Sequence, residues 1–251
     1  MPLLIIGSDL TIKELIFAPK TSNYLWLSNA ALLGFAGGNY FSLLNLKTSG
    51  ERINSLLSPA ITAFTVILSY FIFKEHLKLL QWIGVIITLL VIFGFLLFNS
   101  KGKTTDKPLS RAGWWSSVAT ITCIALSIIC SIKGAAESIS LLHAIAIRLV
   151  FAFFIIAVVF FIKKEYKKVE KLDITFYAVV IIGVLAQTLG ASYLWYYATF
   201  NLGISVLQVI IASLPIWVYG TDIYLLRKTK PSVFFLVTAL LAGLGIYLVM
   251  S

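Results

Sequence analysis

Eight stretches of this chain run for about twenty residues each with almost no charge. They lie at Tyr24–Leu46, Glu51–Phe73, Leu79–Phe98, Trp114–Ile132, Leu141–Ile162, Ile174–Phe200, Ile204–Leu226 and Val233–Val249. The hydrocarbon core of a bilayer is about 30 Å thick, which an α-helix crosses in about 20 apolar residues. No water is available there to satisfy an open backbone, so each crossing segment must close its hydrogen bonds internally. The fold class that follows is an all-α membrane protein. Composition excludes a soluble alternative: 60% of the 251 residues are hydrophobic, 12% are charged and mean hydropathy is +0.98. A soluble chain carries about 25% charged residues.

Two of these stretches hold a proline deep inside, and the prolines share a setting. Gly34, Tyr40, Asn45, Leu46, Ser49 and Pro59 recur at one fixed offset as Gly190, Tyr196, Asn201, Leu202, Ser205 and Pro215. Such self-similarity marks an internal repeat. The chain divides into a first repeat over residues 1–98, a basic linker over 99–112 and a second repeat over 113–251. The first repeat has three whole helices and the second five. Carried backwards, the offset places Met1–Gly7 opposite the tail of the fifth stretch. The expected architecture is therefore five helices per repeat. Its first helix and most of its second are expected to be absent here, through a misplaced start codon or a fragment. An odd helix count per repeat inverts the second half in the membrane, and inverted repeats place a site near the midplane.

The net charge of +10 would suit nucleic acid. The basic residues, however, sit in short gaps between apolar runs, where they set orientation. Lys47, Arg52, the linker lysines, Lys163–Lys171 and Arg227–Lys230 fall on one face. Only Lys13, Lys20, Lys74, Lys78 and Lys133 fall on the other. That bias makes the first face cytoplasmic and puts the C-terminus outside. Cys123 and Cys130 share one apolar run and read as packing residues. Gly37-Gly38 and Gly243/Gly245 allow close helix approach, and Trp114-Trp115 belong to the interfacial belt.

A helical proline lacks an N–H and pushes away the carbonyl four residues back, here those of Ser55 and Ile211. Ser58, Thr62 and Ser213 are near enough to compensate. Arg148 is the one clear charge inside a run, where it costs about 2.5–3.5 kcal/mol or more without a partner. It reads either as an anchor for an anionic substrate group or as a tie to carbonyls at a kinked helix. His143, nearer the helix mouth and without a second ligand, reads as structural. Asn39, Tyr40, Asn45, Gln187, Tyr193, Trp195, Tyr196, Trp217 and Tyr219 offer stacking faces and hydrogen bonds for a cavity wall. The expected substrate cavity comprises Asn39, Tyr40, Asn45, Ser58, Pro59, Thr62, Arg148, Gln187, Tyr193, Tyr196, Ser213, Pro215 and Trp217. Among acidic residues, Thr48-x-x-Glu51 reads as a capping box opening the proline helix, Asp222 as a rim ion pair, and Glu75 as a residue at a helix mouth.

The order Ser58-Pro59, then Phe73-Lys74-Glu75-His76-Leu77-x-x-x-Gln81-x-x-Gly84, then Gly94 resembles the EamA-domain drug/metabolite transporters. The second half matches through Arg148, Asn201-x-Gly203-x-Ser205, Pro215 and Gly243-x-Gly245-Ile246-Tyr247-Leu248. Lys74 stands where the family usually has Gly. The second half has Arg227-Lys228-Thr229-Lys230-Pro231 in place of the Glu after its proline helix. The resemblance implies ten helices in two inverted five-helix repeats, and a central cavity lined by the third, fourth, eighth and ninth. It also implies export or import of amino acids, drugs and other small metabolites. Many members keep both termini in the cytoplasm, opposite to the charge count.

The resulting expectation is a multi-pass transporter of amino-acid-like or drug-like solutes in the plasma (cytoplasmic) membrane, working by alternating access. It needs no cofactor and no metal. Its partners are a small-molecule substrate and the lipid bilayer, with no nucleic acid, and a homodimer is compatible with it. The alternatives are a lipid-modifying membrane enzyme and an accessory or structural subunit. The enzyme would need paired carboxylates with a metal, or a His/Asp set near the headgroups. No such motif occurs among ten acidic residues and two histidines.

Overall fold

The computed structural model describes residues 20–99, 110–136, 139–162, 179, 182–183, 186–224 and 233–251. Most of the linker, the N-terminal polar stretch, and the basic segments after Ile162 and Tyr224 lie outside those residues, as does the side chain of Asp222. The helices are α1 (Thr21–Ala31), α2 (Asn39–Ser55), α3 (Leu57–Phe73), α4 (Leu79–Asn99), α5 (Arg111–Ala136) and α6 (Leu141–Ile162). They continue with α7 (Ser192–Leu202), α8 (Ile204–Ala212), α9 (Leu214–Tyr224) and α10 (Val233–Met250). Among the described residues, six helical segments are long and apolar enough to cross a membrane: Ile53–Phe73, Leu79–Leu97, Arg111–Ala136, Leu141–Val159, Ile204–Thr221 and Val233–Met250. Of the two remaining expected spans, Ile174–Phe200 lies partly outside the described residues.

The other, Tyr24–Leu46, is helical but not uniformly α. A π-helical segment, Leu32–Gly38, joins α1 to α2, and a second, Ala186–Ala191, precedes α7. Gly34 and Gly190, which recur at the repeat offset, sit inside these two segments. Each π turn widens the helix by one residue and leaves an i→i−4 bond unmade, a feature that concentrates at functional positions.

Polar side chains live in these apolar helices by bonding their own backbone. Thr65, Thr88, Thr120, Ser131 and Thr238 each donate to the carbonyl four residues back. That removes the cost of an unsatisfied hydroxyl in hydrocarbon. Outward-facing side chains are large and apolar, for example Phe153, Phe161, Leu90 and Leu240. Water would not tolerate such a surface, and lipid does.

The chain forms two compact units, each drawing helices from both sides of the linker. The first comprises residues up to Asn39 together with Leu126–Ala198. There α1 runs antiparallel to the end of α5: Asn23 Nδ2 donates to Gly134 O (2.8 Å) and Ser127 Oγ donates to Ala30 O (2.7 Å). Leu27, Ala144, Ile145, Ile147 and Tyr196 form its core. Gly134 permits the approach, since a methyl group there would sit 2.6 Å from Leu27 Cγ.

The second unit comprises Tyr40–Ala125 and Thr199–Ser251. Its backbone is the antiparallel pair α4 and α10. Gln81 Nε2 donates to Val249 O (3.1 Å), and a methyl on Gly84 would lie 2.6 Å from Gly245 O. Two apolar clusters fill this unit, one around Ile92, Phe95, Ile216 and Phe235, the other around Val66, Val85, Val206 and Val209. Cys123 and Cys130 are free thiols within α5.

Candidate functional site

Both prolines sit in helices that are interrupted twice. The first interruption is a single glycine with positive φ: Gly50 (φ 84°, ψ 173°) and Gly203 (φ 87°, ψ 157°). Only glycine enters this conformation without strain. Gly50 corrects the expected capping box. The helix breaks at Gly50, so Thr48 belongs to the last turn before the break, where its hydroxyl donates back to Leu44 O (2.9 Å).

The second interruption lies just ahead of the proline. Leu56 (φ −73°, ψ −12°) separates α2 from α3, and Ser213 (φ −76°, ψ −8°) separates α8 from α9. Each is closed by a tighter i→i−3 bond, Leu56 N–H to Ile53 O and Ser213 N–H to Ile210 O, both 3.1 Å. A proline ring clashes with the carbonyl four residues back, and the tightened turn swings that carbonyl aside. The Ser213 hydroxyl donates to Ile210 O (2.6 Å) and accepts from Trp217 Nε1 (3.2 Å). It thus serves the carbonyl next to the one the proline displaces. Thr62 reaches out of its helix altogether, donating to Gln208 O (3.4 Å).

That last bond marks where the two proline helices cross. Thr62 meets Gln208, Val66 packs with Val206 and Val209, and Ser69 Oγ lies 3.2 Å from Ser205 Oγ. Contacts climb α3 as they descend α8, so the two run antiparallel.

Beyond Ser69, Lys74 ends α3 in the left-handed conformation (φ 53°, ψ 37°), the one non-glycine with positive φ among the described residues. This explains the glycine usual at that place in the resembled family. The turn delivers Glu75 to the start of α8. Its carboxylate accepts from the Ser205 N–H (3.3 and 3.4 Å) and the Ser205 hydroxyl (2.8 Å), and from the Ser69 hydroxyl. A methyl group on Gly203 would come within 2.5 Å of Glu75 Oε1.

The remaining expected site residues divide between the units. In the first, Asn39, Gln187 and Tyr193 are exposed, and Tyr196 is fully buried with no partner for its hydroxyl. Arg148 is half-buried with its guanidinium 5.1 Å from the Phe35 ring centroid. Its Nε is buried without a hydrogen-bond partner, so the tie to kink carbonyls is not made at that atom. His143 caps α6 with Ser140: its ring Nδ1 lies 2.6 Å from Ser140 Oγ, and its backbone N–H donates to the same oxygen (3.3 Å). Its Nε2 is buried without a hydrogen-bond partner.

In the second unit, Tyr40 is exposed and Ser58 half-buried, while Pro59 and Thr62 are buried. Asn45 is fully buried: its Nδ2 donates to Gly113 O (3.1 Å) and to the hydroxyls of Ser116 and Ser117 at the start of α5, while its Oδ1 has no hydrogen-bond partner. Ser213, Pro215 and Trp217 follow one another along the second proline helix. Ser213 and Trp217 line a largely apolar cavity of about 370 Å³ against α10, with Gly220, Phe235 and Ala242. Sequence reasoning missed the π segments, although the repeated Gly34/Gly190 pair signalled them. It also missed the reach of Glu75 to Ser205, which no local spacing reveals.

A family model describing EamA-like transporters matches residues 1–97 and 111–251, all of the chain but the basic linker. No curated protein matches the chain significantly.

Proposed function

The chain belongs to the EamA-like transporter family, and we propose that it carries small amino-acid-like or drug-like metabolites across the plasma membrane by alternating access. Membership makes it a multi-pass membrane transporter rather than an enzyme. The observation carrying the rest is the antiparallel crossing of two equivalent helices, one from each sequence repeat, both interrupted just before their proline. Antiparallel packing is what inverted repeats require of equivalent helices. The paired interruptions supply two places where a helix bends without losing its remaining hydrogen bonds. Five helices per repeat is the architecture that suits this motion.

Arg148 is the anchor for an anionic group on the cargo. No carboxylate pairs with it among the described residues, and a guanidinium in a span calls for a counter-charge. Tyr196, in the same unit as Arg148 and with a buried hydroxyl that has no hydrogen-bond partner, contributes to the wall. The test is uptake and counterflow by the purified protein in liposomes, with solutes chosen by a thermal-shift screen in detergent. Arg148→Ala should raise the apparent KM for anionic solutes roughly tenfold to a hundredfold, the worth of a charge-assisted hydrogen bond. Neutral solutes should be little affected. Unchanged transport of an anionic solute by this variant would remove Arg148 from the site, and absence of counterflow for every stabilising solute would remove the transport reading.

A further inference from the structure

We propose that Glu75 is a latch between the two proline helices that holds one end of their crossing shut, a positioning residue for the alternating cycle; this rests on the transport reading above. Glu75 follows the last turn of α3, and the groups it binds lie in the first turn of α8. It therefore ties the end of one proline helix to the beginning of the other. Ser69 and Ser205 are buried to within 1% of full enclosure, and both hydroxyls and one backbone N–H converge on the carboxylate. A carboxylate at a helix N-terminus also meets the positive end of the helix dipole. Among the described residues no cation pairs with Glu75, and these donors meet its carboxylate.

Two backbone features shape this contact. Lys74 is held left-handed, which turns the chain from α3 toward α8. Gly203 is the sole residue type that fits, because any Cβ would press on Glu75 Oε1 as well as suffer the positive φ.

The latch occurs once, although the crossing is built from equivalent helices. At the repeat offset, the partner of Glu75 is Pro231, within a stretch that has no carboxylate. The partner of Ser205 is Ser49, buried and in contact with the neighbouring Thr48 hydroxyl at 3.5 Å. One end of the crossing is tied by Glu75, and among the described residues no equivalent carboxylate contact is made at the other. In an alternating cycle the Glu75 contacts break each time that end opens. They bias the resting protein toward the state closed there, and by linkage they set the apparent affinity for solute arriving from that side.

The experiment reads the latch without needing a cargo. In proteoliposomes of the full chain with Cys123→Ser and Cys130→Ser, a single Thr62→Cys reporter is labelled with a membrane-impermeant maleimide. Thr62 lies under the latch, toward the middle of α3. A second reporter, Ser42→Cys, sits in α2, where Ser42 bonds Asn54 on the far side of the interruption at Leu56, about 12 Å along the axis from position 62. Glu75→Ala should speed labelling at position 62 roughly tenfold, the worth of the charged hydrogen bonds removed, and leave position 42 unchanged. Glu75→Gln, which keeps an acceptor and loses the charge, should fall between. It and Ser205→Ala carry the test where Glu75→Ala fails to fold.

Equal labelling with and without the carboxylate overturns the latch. So does faster labelling at both reporters, which would mark general loosening. The two hypotheses separate cleanly, because labelling can respond while counterflow is absent, and counterflow can proceed while labelling is indifferent to Glu75.

Discussion

The two proline helices share residues at one fixed offset in the sequence, and the structure holds them differently. In the second, nine residues (Ile204–Ala212) precede the interruption, and Ile204 to Val209 are all buried. In the first, the stretch between Gly50 and the interruption is only Glu51–Ser55, and Ile53 to Leu56 are half-buried. Gly50 lies nine residues before Pro59, whereas Gly203 lies twelve before Pro215. The second helix thus has a long, core-bound lead-in, tied down by Glu75. The first has a short one near the surface. The bend is common to both helices and the anchoring is not.

The sharpest way to break this comparison is at the two glycines. Both carry positive φ, so Gly50→Ala should cost about 1–2 kcal/mol, the penalty of a left-handed L-residue. Gly203→Ala adds a methyl against Glu75 Oε1 in a buried setting, and should cost about 3 kcal/mol or more once overpacking is included. Thermal unfolding in detergent measures both. Equal losses would mean that the lead-in of the second helix is no better anchored than that of the first.

The prolines give the next effect. Replacing either by alanine returns an N–H and lets the helix close across the break. Straightening the second helix cannot move its buried lead-in, so α9 must swing instead, disturbing the cavity shared with α10. Straightening the first shifts only the short Glu51–Ser55 stretch, of which Ile53 to Ser55 are half-buried. Pro215→Ala should therefore lower counterflow roughly tenfold with unfolding within about 1 kcal/mol of the parent, and Pro59→Ala should lower it less. A reversed order would show that the first helix carries the larger movement.

The contrast also marks how far the sequence could be read. Span positions were legible because hydrocarbon forces helices, and six of the eight stretches meet length and hydropathy requirements in the described structure. The bends were legible because proline has only one effect deep in a helix. Partner choice was not. Asn45 recurs at the repeat offset and was expected in a cavity, yet its amide binds the start of α5, sixty-eight residues on. Glu75 was expected at a helix mouth, yet it binds a serine 130 residues away. Such contacts depend on how helices pack, and local spacing carries no information about them. Arg148 was legible as an anomaly because a lone charge in a span is costly wherever it packs.

The smallest effect concerns Lys74, where the first repeat departs from the glycine usual in the resembled family. A left-handed lysine stores about 1 kcal/mol of strain that glycine would release. Against this, glycine makes the unfolded chain more flexible, and the lysine charge at the C-terminal end of α3 is favourable by about 0.3–1 kcal/mol. Lys74 is exposed. The terms nearly offset, so Lys74→Gly should move the unfolding midpoint by no more than about 2–4 °C, the shift produced by 1 kcal/mol in a chain of this size. Lys74→Asn, which tolerates the left-handed region and drops the charge, should lie close by. A loss of several degrees in both variants would mean that the lysine charge, more than the backbone angle, holds the turn that presents Glu75. The latch would then depend on electrostatics at both ends of α3 and α8, and high salt should weaken the parent protein in the same way.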